Sequence, residues 1–176
     1  MSELYDPPRE PAAVVADTGL FVACGRQQNN KYAALERFVR RNGLTLLIPE
    51  RIYEELGGAP DRSTPGQTPI DSAIDSGWVT VADPLDYSNS TVATVMDDVR
   101  GRIASGSNRP EDTIEKADTA LAAVTVQLLE SGSAAFAYLI TTDVDAGEAT
   151  VSALEAHGFG GQVEFVDGFD LIHEIT

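Results

Sequence analysis

Apolar residues along this chain occur in two arrangements, short unbroken runs and longer stretches in which they recur every three or four positions. The unbroken runs predict buried strands, and the recurring positions predict helices with one buried face. Because strands and helices alternate, the pattern predicts an α/β fold, a three-layer α/β/α sandwich with a mostly parallel central sheet. The five predicted strands cover residues 12–16, 45–49, 78–83, 136–143 and 162–167.

Helices are predicted between these strands, and turn-rich segments separate several of them. Residues 57–69 and 105–110 are predicted loops. Residues 1–11 are polar and Pro-rich, so we expect a flexible arm followed by a single domain over residues 12–176. The predicted helices cover residues 51–56, 70–76, 90–103, 111–130 and 146–157, with one or two more within 19–42.

The sequence lacks the features of a secreted or membrane protein. No apolar run approaches the length of a transmembrane helix, and residues 1–10 have neither the basic nor the apolar part of a signal peptide. The single cysteine, Cys24, cannot form a disulfide within the chain. We therefore expect a cytoplasmic protein with no membrane contact.

Charge is the most unusual property of the composition. The chain has 28 acidic and 12 basic residues, a net charge of −16, and only two of the bases are Lys. Acid excess with few lysines resembles the proteomes of halophiles that accumulate salt. A net charge of −16 normally argues against a nucleic-acid partner, but molar salt screens that repulsion.

Two carboxylates follow directly after predicted buried strands. Asp17 follows the strand at 12–16, and Asp143 ends the strand at 136–143. Ligands of open parallel sheets bind at the carboxyl ends of the strands, so the two side chains are expected to converge there. The alternative for each is that it caps the helix that follows.

Two more carboxylates occupy positions that helical spacing turns toward the core. Asp118 lies on the apolar stripe of the helix at 111–130, between Ile114 and Leu121, and Glu115 lies near the same face. Glu55 shares a face with the apolar residues of the helix at 51–56, whereas its neighbour Glu54 is expected in solvent. A buried carboxylate needs a partner, a cation or a water-filled cleft. Four such acids suit Mg²⁺ or Mn²⁺, which prefer oxygen ligands.

The order of these segments resembles a PIN domain. The resemblance rests on VADT at 15–18, PERIYEEL at 49–56, ADTALA at 117–122 and LITTDVD at 139–145, and it extends over about residues 12–167. It implies a metal-dependent endoribonuclease, of the kind found among VapC-type toxins and ribosomal-RNA-processing enzymes. It further implies an RNA substrate, a homodimer and, for a toxin, an antitoxin partner.

The resemblance also implies roles for individual residues. Asp17, Glu55, Asp118 and Asp143 match the acidic quartet that binds Mg²⁺ or Mn²⁺, through which a metal-activated water attacks an RNA phosphate. Asp145 matches an auxiliary metal-binding acid, Thr18 and Thr142 match hydroxyls beside the site, and Glu115 is a further auxiliary candidate. The stretch between Glu55 and Asp118 is longer than in compact toxins, so a toxin role and an RNA-processing role stay open. Candidates for weak phosphate contacts are Arg51, Arg100, Arg102 and Arg109.

Three other classes of protein share parts of this pattern. Asp17-Thr18-Gly19 is the aspartic protease tripeptide, but here it leads into a predicted helix. A receiver domain needs a Lys after its last strand, and no Lys follows Lys116. A catalytically silent PIN-like module that binds RNA or a protein stays open as the alternative, although the complete quartet argues against it.

Overall fold

The computed structural model describes residues 12–24, 30–55, 69–108, 110 and 116–176. For residues 55, 69 and 116–118 the description covers their place in a helix and not their side chains. The expected arm at 1–11, the loop at 57–68, Arg109 and Glu115 lie outside the described residues.

Strands and helices alternate along the described chain as the apolar pattern predicts. No helix within the described ranges is long and apolar enough to cross a membrane. The elements are β1 Ala12–Ala16, α1 Thr18–Ala23, α2 Asn30–Arg41, β2 Leu46–Ile48, α3 Glu50–Glu55, α4 Pro69–Asp75, β3 Val79–Val81, α5 Ser90–Ser107, α6 Lys116–Ser131, β4 Phe136–Thr141, α7 Val144–Leu154, a π-helical turn Glu155–Phe159, β5 Val163–Asp167 and α8 Gly168–Ile175.

All strand pairs in the sheet are parallel. The five strands lie in the order β3-β2-β1-β4-β5, so β1 is central and pairs with β2 on one side and β4 on the other. The register with β4 runs from Ala12 opposite Phe136 to Ala16 opposite Ile140. This register brings Asp17 level with Thr141, the last residue of β4. The sheet with helices on both faces confirms the predicted α/β/α sandwich.

Both faces of the central strands are buried, which explains why their sequences are unbroken apolar runs rather than alternating ones. Val15 and Leu139 face a core shared with α5, α6 and α7. Val14 and Ile140 face the opposite core, which includes residues of α1, α2, α4 and α8. Every residue of β4 is buried.

Helix α6 is buried on nearly all sides rather than along one stripe. Residues 119–126 are all buried, and α6 packs against α5, α7, β1 and β4. The single apolar stripe expected for this helix was therefore too narrow. The run of Ala and Val around Leu121 is typical of a helix enclosed by other elements.

Two differences from the predicted elements have local causes. Helix α5 continues past residue 103 to Ser107, and it ends where Asn108 takes a left-handed conformation with φ of 56°. Helix α8 was not predicted. Its start is capped by Asp167, and Leu171 and Ile172 bury one face of its eight residues.

Candidate active site

The strand order reverses at β1, which places a crevice at the carboxyl ends of β1 and β4. From β1 the chain adds β2 and β3 on one side of the sheet, then returns to add β4 and β5 on the other. Ligands of open α/β sheets bind at such a reversal. Asp17 and Asp143 lie just beyond the two strands that border it.

Both carboxylates cap the helices that follow them, which was the alternative role expected for each. One oxygen of Asp17 accepts a hydrogen bond from the Leu20 amide at 3.2 Å, at the start of α1. One oxygen of Asp143 accepts from the Ala146 amide at 3.1 Å, at the start of α7. Each cap uses a single carboxylate oxygen, so capping does not require a charged group at either position.

Thr141 connects the two acids. Its side chain is fully buried, and its hydroxyl donates a hydrogen bond to the second oxygen of Asp17. The same hydroxyl oxygen accepts from the backbone amide of Asp143 at 3.0 Å. The resemblance had implied Thr142 as a hydroxyl beside the site. Thr141 was not among the predicted residues, and the parallel register between β1 and β4 is the signal that identifies it.

Thr142 packs against two glycines and lies close to Asp17. A Cβ at Gly19 would lie only 1.9 Å from the Thr142 hydroxyl oxygen and 3.3 Å from one oxygen of Asp17, and a Cβ at Gly168 would lie 2.9 Å from the Thr142 methyl carbon. Gly19 therefore completes the Asp-Thr-Gly tripeptide because α1 starts too close to β4 for any side chain. Thr18, the first residue of α1, is partly buried beside Asp17.

Burial raises the pKa of Asp17 from 3.8 to about 6. Some of its surface stays accessible, but protein atoms enclose most of the carboxylate. The negative charge of Asp143 raises the pKa further, while hydrogen bonds from Thr141 and the Leu20 amide oppose the shift. Two adjacent carboxylates, one of them poorly hydrated, form an all-oxygen donor set that fits a hard divalent cation.

The other two members of the quartet lie on neighbouring helices. Glu55 is the last residue of α3, and Asp118 lies in the first described turn of α6. Helix α3, which carries Glu55, packs against α1, which Asp17 caps, and against α6, which carries Asp118. The side chains of Glu55 and Asp118 lie outside the described residues, as does all of Glu115.

Asp145 does not complete a donor set with the two central acids. Its side chain is exposed in the first turn of α7. Among the described side chains, no group of three or more His, Cys, Asp and Glu residues is placed to hold a metal ion. A complete site at this edge therefore depends on Glu55 and Asp118.

A cleft of about 540 Å³ lies beside this edge, beyond the carboxyl ends of β2 and β3. Arg51 and Arg100 both line it, which brings together two of the four arginines that the sequence indicated. Arg102 does not line it, because its guanidinium Nε lies 2.8 Å from Asp98 on another face of α5. The residues lining the cleft are Pro49, Glu50, Arg51, Glu54, Asp83, Pro84, Leu85, Tyr87, Ala93, Met96, Asp97, Arg100 and Ala120.

Comparison with known proteins agrees with the fold. The chain matches the family described as "Halobacterial PIN domain" over residues 10–176. No curated protein matches it. PIN domains are generally nucleases and typically use divalent metals. Because the match extends over nearly the whole sequence, the chain belongs to the halobacterial PIN domain family.

Proposed function

We propose that this protein is an endoribonuclease that hydrolyses RNA phosphodiester bonds with the help of Mg²⁺ or Mn²⁺. The observation that carries the proposal is the Asp17 carboxylate, buried beside Asp143 with its pKa raised to about 6. A cap alone would be served as well by Asn, which carries no charge to desolvate. An acid kept at this position is therefore best explained by a function that needs its charge.

The four acids would hold the cation, and the other residues would position the substrate. Bound at Asp17, Glu55, Asp118 and Asp143, a divalent cation supplies Lewis-acid charge neutralisation and lowers the pKa of bound water. Thr141 fixes the orientation of the Asp17 carboxylate and, through the Asp143 amide, the start of α7. Arg51 and Arg100, which line the cleft, would bind the phosphates on either side of the bond that breaks.

The decisive experiment measures cleavage of single-stranded and structured RNA in molar KCl. Reactions contain either Mn²⁺ or EDTA, and the wild type is compared with Asp17→Asn. We expect cleavage with Mn²⁺ only, and a loss of at least about a hundred-fold in Asp17→Asn, because an uncharged amide binds the cation weakly. Calorimetry with Mn²⁺ alone measures metal binding without reference to activity.

Asp167→Asn is a matched control for the substitution. Asp167 also lies at the carboxyl end of a strand and caps a helix, accepting from the Phe169 amide at 2.8 Å, but it is the last residue of the edge strand β5. This variant is expected to cleave RNA at the wild-type rate. Cleavage that survives EDTA or Asp17→Asn would contradict the metal mechanism, and RNA binding with neither cleavage nor Mn²⁺ binding would favour the silent module.

The homodimer and the antitoxin partner stay predictions.

A further inference from the structure

The cleft beside the proposed catalytic edge contains an aromatic residue that the folded core does not use. Tyr87 lines the cleft and leaves 67% of its surface exposed. Tyr32, Tyr138 and Trp78 are all buried in the core. An exposed tyrosine contributes little to folding, so its position in the cleft calls for a different explanation.

Hydrogen bonds from residues before and after Tyr87 in the sequence attach the turn that carries it to α6. Gln127 bridges the turn, since its oxygen accepts from the Asp86 amide at 2.9 Å and its NH₂ group donates to the Pro84 carbonyl at 3.1 Å. Beyond Tyr87, the Asn89 amide group donates to Glu130 at 2.6 Å. A turn attached at these points holds the backbone of Tyr87 in a defined place, which lowers the entropic cost of binding against its side chain.

Charge alone does not make this cleft attractive to a polyphosphate. Two arginines line it, but so do four carboxylates, those of Glu50, Glu54, Asp83 and Asp97. Arg51 lies 3.8 Å from Glu54 and Arg100 lies 3.5 Å from Asp97, so both bases have acidic neighbours. Nucleic-acid binding here needs a contribution that does not depend on net charge. Stacking of a base on an aromatic ring supplies one.

We infer that Tyr87 is a stacking platform for an unpaired base of single-stranded RNA, with the flanking phosphates at Arg51 and Arg100. The inference rests on the proposed ribonuclease function and adds to it a side chain that would hold an unpaired base. A base inside a duplex presents its edges and not its face, so it cannot stack on the ring. Tyr87 acts as a positioning residue, since it holds the strand and takes no part in the bond changes.

The test measures binding without cleavage, by fluorescence anisotropy of a labelled, unstructured RNA oligonucleotide in EDTA and molar KCl. Three probes are compared: the oligonucleotide, its duplex with a complementary strand, and a version lacking its bases. Tyr87→Ala is expected to weaken binding of the intact single strand about 5- to 100-fold and to leave the baseless probe unaffected. Tyr87→Phe keeps the ring and is expected to bind within about two-fold of the wild type.

Phe169→Ala is the matched control, because Phe169 is also an exposed aromatic, at 60%, but does not line the cleft. Its affinity is expected to equal that of the wild type. The inference is overturned if Tyr87→Ala binds as tightly as the wild type, if it weakens all three probes equally, or if Phe fails to restore binding. Binding through Tyr87 without Mn²⁺-dependent cleavage would overturn only the nuclease proposal. Cleavage with no effect of Tyr87→Ala would overturn only the stacking role.

Discussion

At the residue scale, the charge of the mostly buried Asp17 side chain lowers the free energy of unfolding of the metal-free protein. The ordinary pKa of an aspartate side chain is 3.8, and the pKa of Asp17 in the folded protein is about 6. Between these values the folded chain binds more protons than the unfolded chain, so the free energy of unfolding falls as pH rises through this window. A cation bound beside Asp17 would reverse that penalty, which is the behaviour of a functional group rather than of a helix cap.

Asp17→Asn is therefore expected to stabilise the metal-free protein at neutral pH. The amide keeps the cap on α1 and does not titrate, so its advantage over the wild type grows as pH rises from about 4 to about 6. Thermal unfolding in EDTA across this pH range measures the effect. Adding Mn²⁺ should raise the Tm of the wild type and not that of the variant. A variant that keeps the wild-type pH dependence would show that the charge of Asp17 does not destabilise the fold.

Gly19→Ala is expected to destabilise the fold by about 1 to 3 kcal/mol, because its Cβ would overlap the Thr142 hydroxyl. Gly106→Ala is the matched control within α5, where a new Cβ meets nothing within 4 Å. That substitution is expected to be neutral or to stabilise by about 0.4 to 1 kcal/mol. Urea unfolding of both variants measures the difference. Equal stability of the two variants would contradict the close packing of α1 on β4.

The sequence located the strand-end acids correctly but could not identify the hydroxyl between them. Asp17 and Asp143 stand out because apolar runs precede them. Thr141 and Thr142 are indistinguishable in sequence, because every residue of β4 is buried and no alternation shows which side chain faces β1. Only the pairing of β1 with β4 shows which hydroxyl reaches Asp17. Thr141 and Asp17 are 124 positions apart in the chain, so no local sequence pattern reveals that pairing.

At the element scale, α3 and α5 bring one arginine each to the cleft from positions 49 residues apart in the chain. Each phosphate contact contributes to the salt dependence of binding. Arg51→Ala and Arg100→Ala are therefore each expected to weaken binding of single-stranded RNA and to reduce the slope of log K against log salt by about 0.7. Titrations at several KCl concentrations measure both quantities.

Arg102→Ala serves as the control for these two variants, because Arg102 is engaged with Asp98 away from the cleft. It is expected to leave the affinity and the slope unchanged. An equal loss in all three variants would indicate a general effect of charge rather than contacts in the cleft.

The helices were harder to predict than the strands, and α6 shows why. The residues around Leu121 and Thr125 are apolar or small on every side of the helix. Their pattern therefore does not show which side faces the sheet. The direction of Asp118 inferred from the expected apolar stripe therefore depends on the neighbours of α6, which are distant in sequence. Helix α8 was missed because only two of its eight residues, Leu171 and Ile172, are buried large apolar side chains, and two adjacent positions do not reveal a helical period.

At the scale of the whole molecule, the net charge of −16 makes self-repulsion a general property of the fold. The Tm is expected to rise steadily with KCl concentration as the Debye length falls. Glu148 and Glu164 are both exposed, so the double substitution to Gln should lower the KCl concentration needed for a given Tm. Circular dichroism melts at increasing KCl measure both effects, and a Tm independent of KCl would contradict them.

The central place of β1 also determines when the two carboxylates can meet during synthesis. β1 lies near the start of the chain, but its neighbour β4 begins only at Phe136. A nascent chain that stops before β4 contains Asp17 without Thr141 and Asp143, and it has no partner on that side of the sheet. A fragment released from a stalled ribosome therefore lacks the paired acids. The strand order postpones assembly of the proposed nuclease site until β4 and Asp143 have been synthesised.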